Sequence, residues 1–293
     1  MNNLLSLLSE YVAQQDCIIG ICDATPLPLV LSTDTPFVSK DLAKRADPAA
    51  NLPGAKSIIA IGVAYGIKTF PPMPENAGEL SLLGVVEDYH VTVKKVLRGL
   101  ISRLEQETKF KHKMLVDSPT LDERAIAIKA GLGHIGKHGL VISKRFGSRF
   151  NIGLLLTDID FGNENNNPLL DTCPADCNLC IQACPTGALC ETDGFIINRC
   201  ISYLTQKNSL TPSEAKLLGR NLYGCDICQN ACPKNQTQPI AWANPDDWLR
   251  MNDDEFKKAY GHTATLWQGT GLLKRNAKAV KMNLQALQAQ PRN

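Results

Sequence analysis

Nine of the chain's eleven cysteines are crowded between Cys173 and Cys232. Cys173, Cys177, Cys180 and Cys184, the last followed by Pro185, form one run; Cys225, Cys228 and Cys232, again closed by a proline, form a second. Thiolates at such spacing bind metal. The pattern Cys-x2-Cys-x2-Cys-x3-Cys-Pro holds a pair of [4Fe-4S] cubanes, the fourth cysteine of each run crossing to the other cluster. The first run matches it with one extra residue in its first gap, and the second is one ligand short. Cys200, in NRCISYLT, is the nearest cysteine that completes a set of eight, and Cys190 is the alternative. Crossing the fourth ligands gives Cys173, Cys177, Cys180 and Cys232 to one cubane and Cys184, Cys200, Cys225 and Cys228 to the other.

A pair of zinc knuckles would share the Cys-x2-Cys spacing, but the two x3-Cys-Pro closures and the full set of eight favour iron. An odd cysteine total argues against a disulfide framework. Cys17 and Cys22, on an apolar strand, read as small buried hydrophobes. Cubanes pass electrons singly, so two neighbours make a short wire that needs a terminus. A plain electron carrier has no use for the roughly 160 residues of mixed helix and strand in front of the cysteines, which points to a redox enzyme.

Other groups with chemical potential lie in that front part. Asp117 ends a predicted strand, KMLVD, and Thr120-x-x-Glu123 behind it has the form of a capping box opening a helix to about Ala130. Gly131, Gly133 and Gly136 in GLGHIG match the G-x-G-x-x-G of dinucleotide sites, in which a strand precedes the glycines and a helix follows. Here helical LDERAIAIKA precedes and strand-like GLVIS follows, so nicotinamide binding is not expected. The glycines imply a tight turn where backbone approaches another segment or a flat ligand. Near the end, Lys274, Arg275, Lys278 and Lys281 offer a basic face to phosphate or to solvent.

The elements that must position these groups follow from periodicity. A helix is expected over residues 2–14, with Leu4, Leu5, Leu7, Leu8 and Val12 on one stripe, then strands at CIIGIC and SIIAIGVAY and a proline-rich loop at FPPMPENAGE. From Val85 to about Thr108 the spacing of Val93, Val96, Leu97, Leu100, Ile101 and Leu104 predicts a long amphipathic helix. NIGLLLTDI reads as another buried strand, GNENNNP as a linker into the cysteine module, and the chain beyond Pro239 as mostly helical. Lys and Arg (31) nearly balance Asp and Glu (29), which excludes a dedicated nucleic-acid or membrane-surface binder held by global charge. With no basic leader and no long apolar run, a cytoplasmic protein without membrane association is expected.

Together with the cysteine runs, the segments RADPAANLPGAKSIIAIGVAY, EDYH, VDSPTLDERAIAIKAGLGHIGKHGLVIS and GSRFNIGLLLTDIDF resemble the epoxyqueuosine reductase family, in order from about Arg45 to LLKRNA near Ala277. The resemblance implies an α+β fold. A mixed α/β, cobalamin-binding catalytic domain would span residues 1–165, a ferredoxin-like double [4Fe-4S] domain 166–240, and a C-terminal helical segment 241–293. It also implies base-off cobalamin recharged by two [4Fe-4S] clusters, and reduction of an epoxide on a modified tRNA anticodon base to an alkene. Asp117 would donate a proton as the oxygen leaves. Arg45, Asp88, Tyr89, His90 and the glycine loop through Gly133, Gly136, Lys137 and Val141 would line the corrin pocket. The implied partners are tRNA and a low-potential electron donor such as ferredoxin or flavodoxin, with no membrane; oligomeric state stays open.

The chain departs from the family at several points. Cys232 to Asn235 reads Cys-Pro-Lys-Asn where the family has Cys-Pro-Trp-Asn, His134 stands for a tryptophan, and Ser118-Pro119 for Gly-Pro. The segment before Arg45 lacks the usual Trp and Gly-Met pattern, and the sequence ends soon after LLKRNA, where the family usually continues into a helical-repeat extension that helps hold tRNA. Cofactors survive these changes better than substrate. Two other readings therefore stand: a related reductase acting on a small molecule or a corrinoid protein, and a plain two-cluster electron-transfer protein.

Overall fold

A strand such as SIIAIGVA has apolar residues on both faces, so it is stable only when both faces are covered. The computed structural model describes residues 2–28, 37–65, 69–162, 173–192, 194–236 and 239–289. In chain order the elements run α1 (Asn2–Ala13), β1 (Cys17–Asp23), α2 (Leu42–Ala46), β2 (Ser57–Ala64), β3 (Gly78–Leu80), α3 (Tyr89–Glu107), β4 (His112–Leu115), α4 (Glu123–Lys129), β5 (His134–Ile135), β6 (Val141–Ile142) and β7 (Phe150–Thr157). They continue as α5 (Leu179–Ala183), β8 (Leu189–Cys190), β9 (Gly194–Phe195), α6 (Ile201–Gln206), α7 (Pro212–Leu217), β10 (Asn221–Tyr223), α8 (Ile227–Asn230), β11 (Ala241–Ala243), α9 (Pro245–Arg250), α10 (Asp253–Tyr260) and α11 (Thr270–Gln288). These pack as two units, one drawn from residues 1–65 and 89–177, the other from 66–88 and 178–293.

The first unit is built on a four-stranded sheet of order β1-β2-β7-β4, antiparallel throughout. Alternation along β2 sends Ile59 and Ile61 into one core, with Leu8, Val93, Leu97 and Leu100 of α1 and α3. Ile58 and Ala60 enter the other, with Ile126 and Ala127 of α4 and Leu154 and Leu156 of β7. Because this sheet is antiparallel and not wound from parallel strand-helix-strand units, the class is α+β. The predicted stripe of α3 is buried at all six positions, Val93, Val96, Leu97, Leu100, Ile101 and Leu104.

Three local expectations need correction. α3 starts at Tyr89, since residues 82–84 form a separate 3-10 turn whose Leu82 N–H donates to Asp226. Thr120 does not cap α4: the N-cap is Asp122, which accepts from the Ala125 N–H, while Thr120 donates its hydroxyl to Asn51 at 2.6 Å. GLVIS contributes only Val141 and Ile142 to a strand, paired with His134 and Ile135. Of the expected linker, residues 163–168 lie outside the described residues.

The second unit has a sheet of order β10-β3-β11, with β3 parallel to β10 and antiparallel to β11. Its central strand thus comes from the 66–88 excursion, pinned by Arg220, whose guanidinium donates to the carbonyls of Pro74, Glu75 and Ala77. Trp248, Phe256, Leu273, Ala277 and Val280 form the core beneath it. Among the described residues no helix is long and apolar enough to cross a membrane.

Candidate active site

β4 ends at Leu115, and two residues on the backbone turns sharply at Asp117, whose φ of 52° is the one positive value outside glycine among the described residues. Aspartate is one of the few residue types that tolerates this region. The turn leaves Asp117 exposed. Tyr89, the first residue of α3, donates its hydroxyl to Asp117 Oδ2 at 2.7 Å. From the first turn of α4, Glu123 accepts the Asp117 N–H on Oε2 (3.1 Å) and the Ser118 N–H on Oε1 (2.9 Å). Loss of water around its carboxyl raises the Glu123 pKa to about 8; the amide bonds oppose this, and the charges of Asp117 and Asp122 add to it.

Arg45, at the end of α2, is buried and stands 3.6 Å from Asp122, whose N–H donates to the Arg45 carbonyl. The His90 ring stacks on Tyr89, with centroids 4.2 Å apart. Asp88 belongs to the second unit, where its N–H donates to the His262 carbonyl. Lys137 donates to the Ala175 carbonyl at 2.8 Å, and Val141 is buried in the core beside α4. A Cβ at Gly133 would lie 2.1 Å from the Ile142 carbonyl, and one at Gly136 2.6 Å from the Ile142 side chain. Glycine is therefore required because the loop folds onto its own β6. In order, α4 precedes the glycines, β5 lies between Gly133 and Gly136 and β6 follows, so no strand-to-helix phosphate turn exists here.

Within this loop His134 and His138 are both buried, and Nε2 of each has no hydrogen-bond partner among the described residues. Nδ1 of His138 accepts the Leu140 N–H, which places its proton on Nε2. Burial, with His134 beside it, pushes the His138 pKa down to about 4, so its imidazole is neutral near pH 7. Sequence reasoning missed Glu123 and His138 as site residues. For Glu123 the capping-box spacing concealed its use; for His138 no sequence signal existed.

Cys17 and Cys22 are buried, and burial pushes their thiols up to about 11 and about 12, as suits inert packing residues. Cys184 follows α5, Cys200 precedes α6, and Cys225 and Cys228 flank the start of α8. Burial is the main cause raising Cys200, Cys225 and Cys228, the last to about 12. Neighbouring thiols add to it: Cys184 acts on Cys200, Cys200 and Cys228 on Cys225, and Cys180, Cys184 and Cys200 on Cys228. Burial would raise Cys184 too, but the N–H groups of Leu189, Thr186 and Ala188 and the Thr186 hydroxyl outweigh it and lower the pKa. Such a cradle suits a metal-bound thiolate. Cys190, on β8, lies 3.2 Å from the Thr192 hydroxyl. Cys180 and Cys232 are buried; Cys173 and Cys177 are half-buried at the end of the first unit. Among the described residues no three His, Cys, Asp or Glu side chains converge as on a single ion.

Comparison with known proteins accounts for both halves. The family described as epoxyqueuosine reductase QueG, DUF1730, matches residues 45–118, and the 4Fe-4S double cluster binding domain matches residues 172–235. An epoxyqueuosine reductase of Staphylococcus aureus is 37% identical over 258 residues, which cover 82% of this chain and 67% of the relative. One from Bacillus subtilis is 35% identical over 263 residues, 82% of this chain and 66% of that protein. The chain thus spans about two thirds of the length of these relatives. The solved epoxyqueuosine reductase of Streptococcus thermophilus superposes with a TM-score of 0.87 at 30% identity, covering 97% of this chain and 82% of that one. A crystal structure of epoxyqueuosine reductase with an epoxyqueuosine-modified tRNA-Tyr stem loop gives 0.86 at 27% identity, with the same coverage. With the two matched segments covering the Tyr89–Asp117 pair and the cysteine runs, the chain belongs to the epoxyqueuosine reductase family, oxidoreductases of queuosine biosynthesis in tRNA that carry a double [4Fe-4S] domain.

Proposed function

We propose that this chain reduces the epoxide of epoxyqueuosine in tRNA to the alkene of queuosine, using two [4Fe-4S] clusters and base-off cobalamin. The reaction takes two electrons and two protons: both epoxide C–O bonds break and the oxygen leaves as water. Cys173, Cys177, Cys180 and Cys232 would hold one cluster and Cys184, Cys200, Cys225 and Cys228 the other, the partition that crossing the fourth ligands implies; the last four thiols influence one another, and Cys180 also acts on Cys228. Cobalamin, when bound, supplies a reduced metal nucleophile that is recharged one electron at a time. Arg45, Asp88, Tyr89, His90, Gly133, Gly136, Lys137 and Val141 are the candidates to hold it. The unpartnered, buried Nε2 atoms of His134 and His138 suit a ligand fringed with amide groups.

The chain's own share is position and protons. Tyr89 occupies Oδ2 of Asp117, which leaves Oδ1 to carry a proton toward the departing oxygen. That placement is the observation that carries the proposal. The tRNA substrate is supported by the relative solved with a modified stem loop. Near the end of the chain, Arg275 donates to the carbonyls of Leu204, Thr205 and Lys207, and Lys281 pairs with Asp246, so Lys274 and Lys278 are the cations to meet phosphate. A low-potential ferredoxin or flavodoxin in the cytoplasm would supply the electrons.

Asp117→Ala tests the reading. With cluster and cobalamin absorbance unchanged, turnover of an epoxyqueuosine stem loop is expected to fall roughly hundredfold or more, the usual effect of losing a general acid. Undiminished turnover would remove Asp117 as donor.

A further inference from the structure

Among the described residues Glu123 is the carboxylate that bonds the backbone of Asp117. Its two oxygens divide the work, Oε2 taking the Asp117 N–H and Oε1 the Ser118 N–H. Those are the amides on either side of the positive-φ residue, whose conformation costs an L-amino acid energy and persists only where the surroundings impose it. The far side of the turn is fixed separately: Ser118 and Thr120 share a hydroxyl contact at 2.9 Å, and Asn51 bonds Thr120 at both its carbonyl and its hydroxyl. Glu123 itself stands on α4, capped by Asp122 and anchored in the core through Ile126 and Ala127. We infer that Glu123 is a positioning residue for the reaction: its carboxylate clamps the Asp117 and Ser118 amides and holds Asp117 in the left-handed backbone in which Tyr89 orients its carboxyl. The inference rests on the reading of Asp117 as proton donor and adds a residue that never touches substrate.

Ionisation of the clamp supports this. The charged groups around Glu123 are Asp117, Asp122 with Arg45 on its far side, and Arg124, which turns away to donate to the Gly139 carbonyl. With its proton held to about pH 8, Glu123 becomes a full double acceptor only as the pH rises past that value. Protection of the two amides should then increase.

The test is Glu123→Gln in the reconstituted full chain at about pH 9, where the wild-type Glu123 is ionised, read by turnover and by hydrogen exchange at Asp117 and Ser118. Glutamine keeps one acceptor and sets an NH2 group against the other amide. Expected are a kcat roughly ten- to hundredfold lower, a KM within about twofold, exchange at both amides at least about tenfold faster, and loss of the wild-type rise in protection near pH 8. Exchange in β4 and the rest of α4 stays unchanged. Should the glutamine variant fail to fold, Glu123→Asp keeps the charge, draws both oxygens back by one methylene, and is expected to give the same split. Unchanged exchange at both amides overturns the clamp. Faster exchange with undiminished kcat, beside an inactive Asp117→Ala variant, overturns the positioning role and leaves the donor reading standing.

Discussion

Cys200 and Cys190 compete for one ligand position on spacing alone. The Cys200 thiol feels Cys184 and acts in turn on Cys225 and Cys228, which favours Cys200 as the ligand. Cys200→Ala is therefore expected to retain roughly half the iron of the wild type, roughly four atoms in place of eight, and Cys190→Ala all of it. Anaerobic iron analysis decides the matter, and the reverse pattern would reassign the ligand. Asp117 was legible as an acid after a strand, and the glycine loop as a close approach. Glu123 was hidden because Thr120-x-x-Glu123 satisfied a local rule that the fold does not use, with Asp122 taking the cap instead. The Tyr89 hydroxyl contact joins residues 28 positions apart, which no periodicity records.

Long elements announced themselves through repeating apolar positions, and short ones did not. α3 buries its whole predicted stripe, and β2 and β7 are mostly apolar on both sides because helices cover both faces of their sheet. β5 and β6 are two residues each, fixed by one another and not by their own sequence. The same holds inside α11, whose Asn276 is fully buried and donates from Nδ2 to the carbonyls of Thr205 and Leu222, both at 2.8 Å and 71 and 54 residues away. A polar residue on an apolar helix face reads from sequence as a solvent position. Leucine has the same branching with bulkier methyls and removes a donor from both carbonyls, leaving the Thr205 carbonyl only the Arg275 contact, so Asn276→Leu is expected to cost about 2–4 kcal/mol in urea unfolding; a loss below about 0.5 kcal/mol would show that the two bonds contribute little.

Two packed units arise because residues 66–88 leave the first sheet after β2 and supply the central strand of the second, next to β10 and β11. A left-to-right reading gives consecutive domains and cannot foresee such an excursion, since β3 is three residues long and its partners lie more than 130 residues downstream. The family, by contrast, was readable from ordered segments spread over most of the chain, and the relatives match it over 258 and 263 residues. The most direct measurement is mass analysis of an epoxyqueuosine stem loop after incubation with the anaerobically reconstituted chain, cobalamin and a low-potential reductant. Loss of one oxygen atom from the modified base, dependent on both iron and cobalamin, is the expected result. An unchanged base under those conditions, with both cofactors bound, would contradict the assignment.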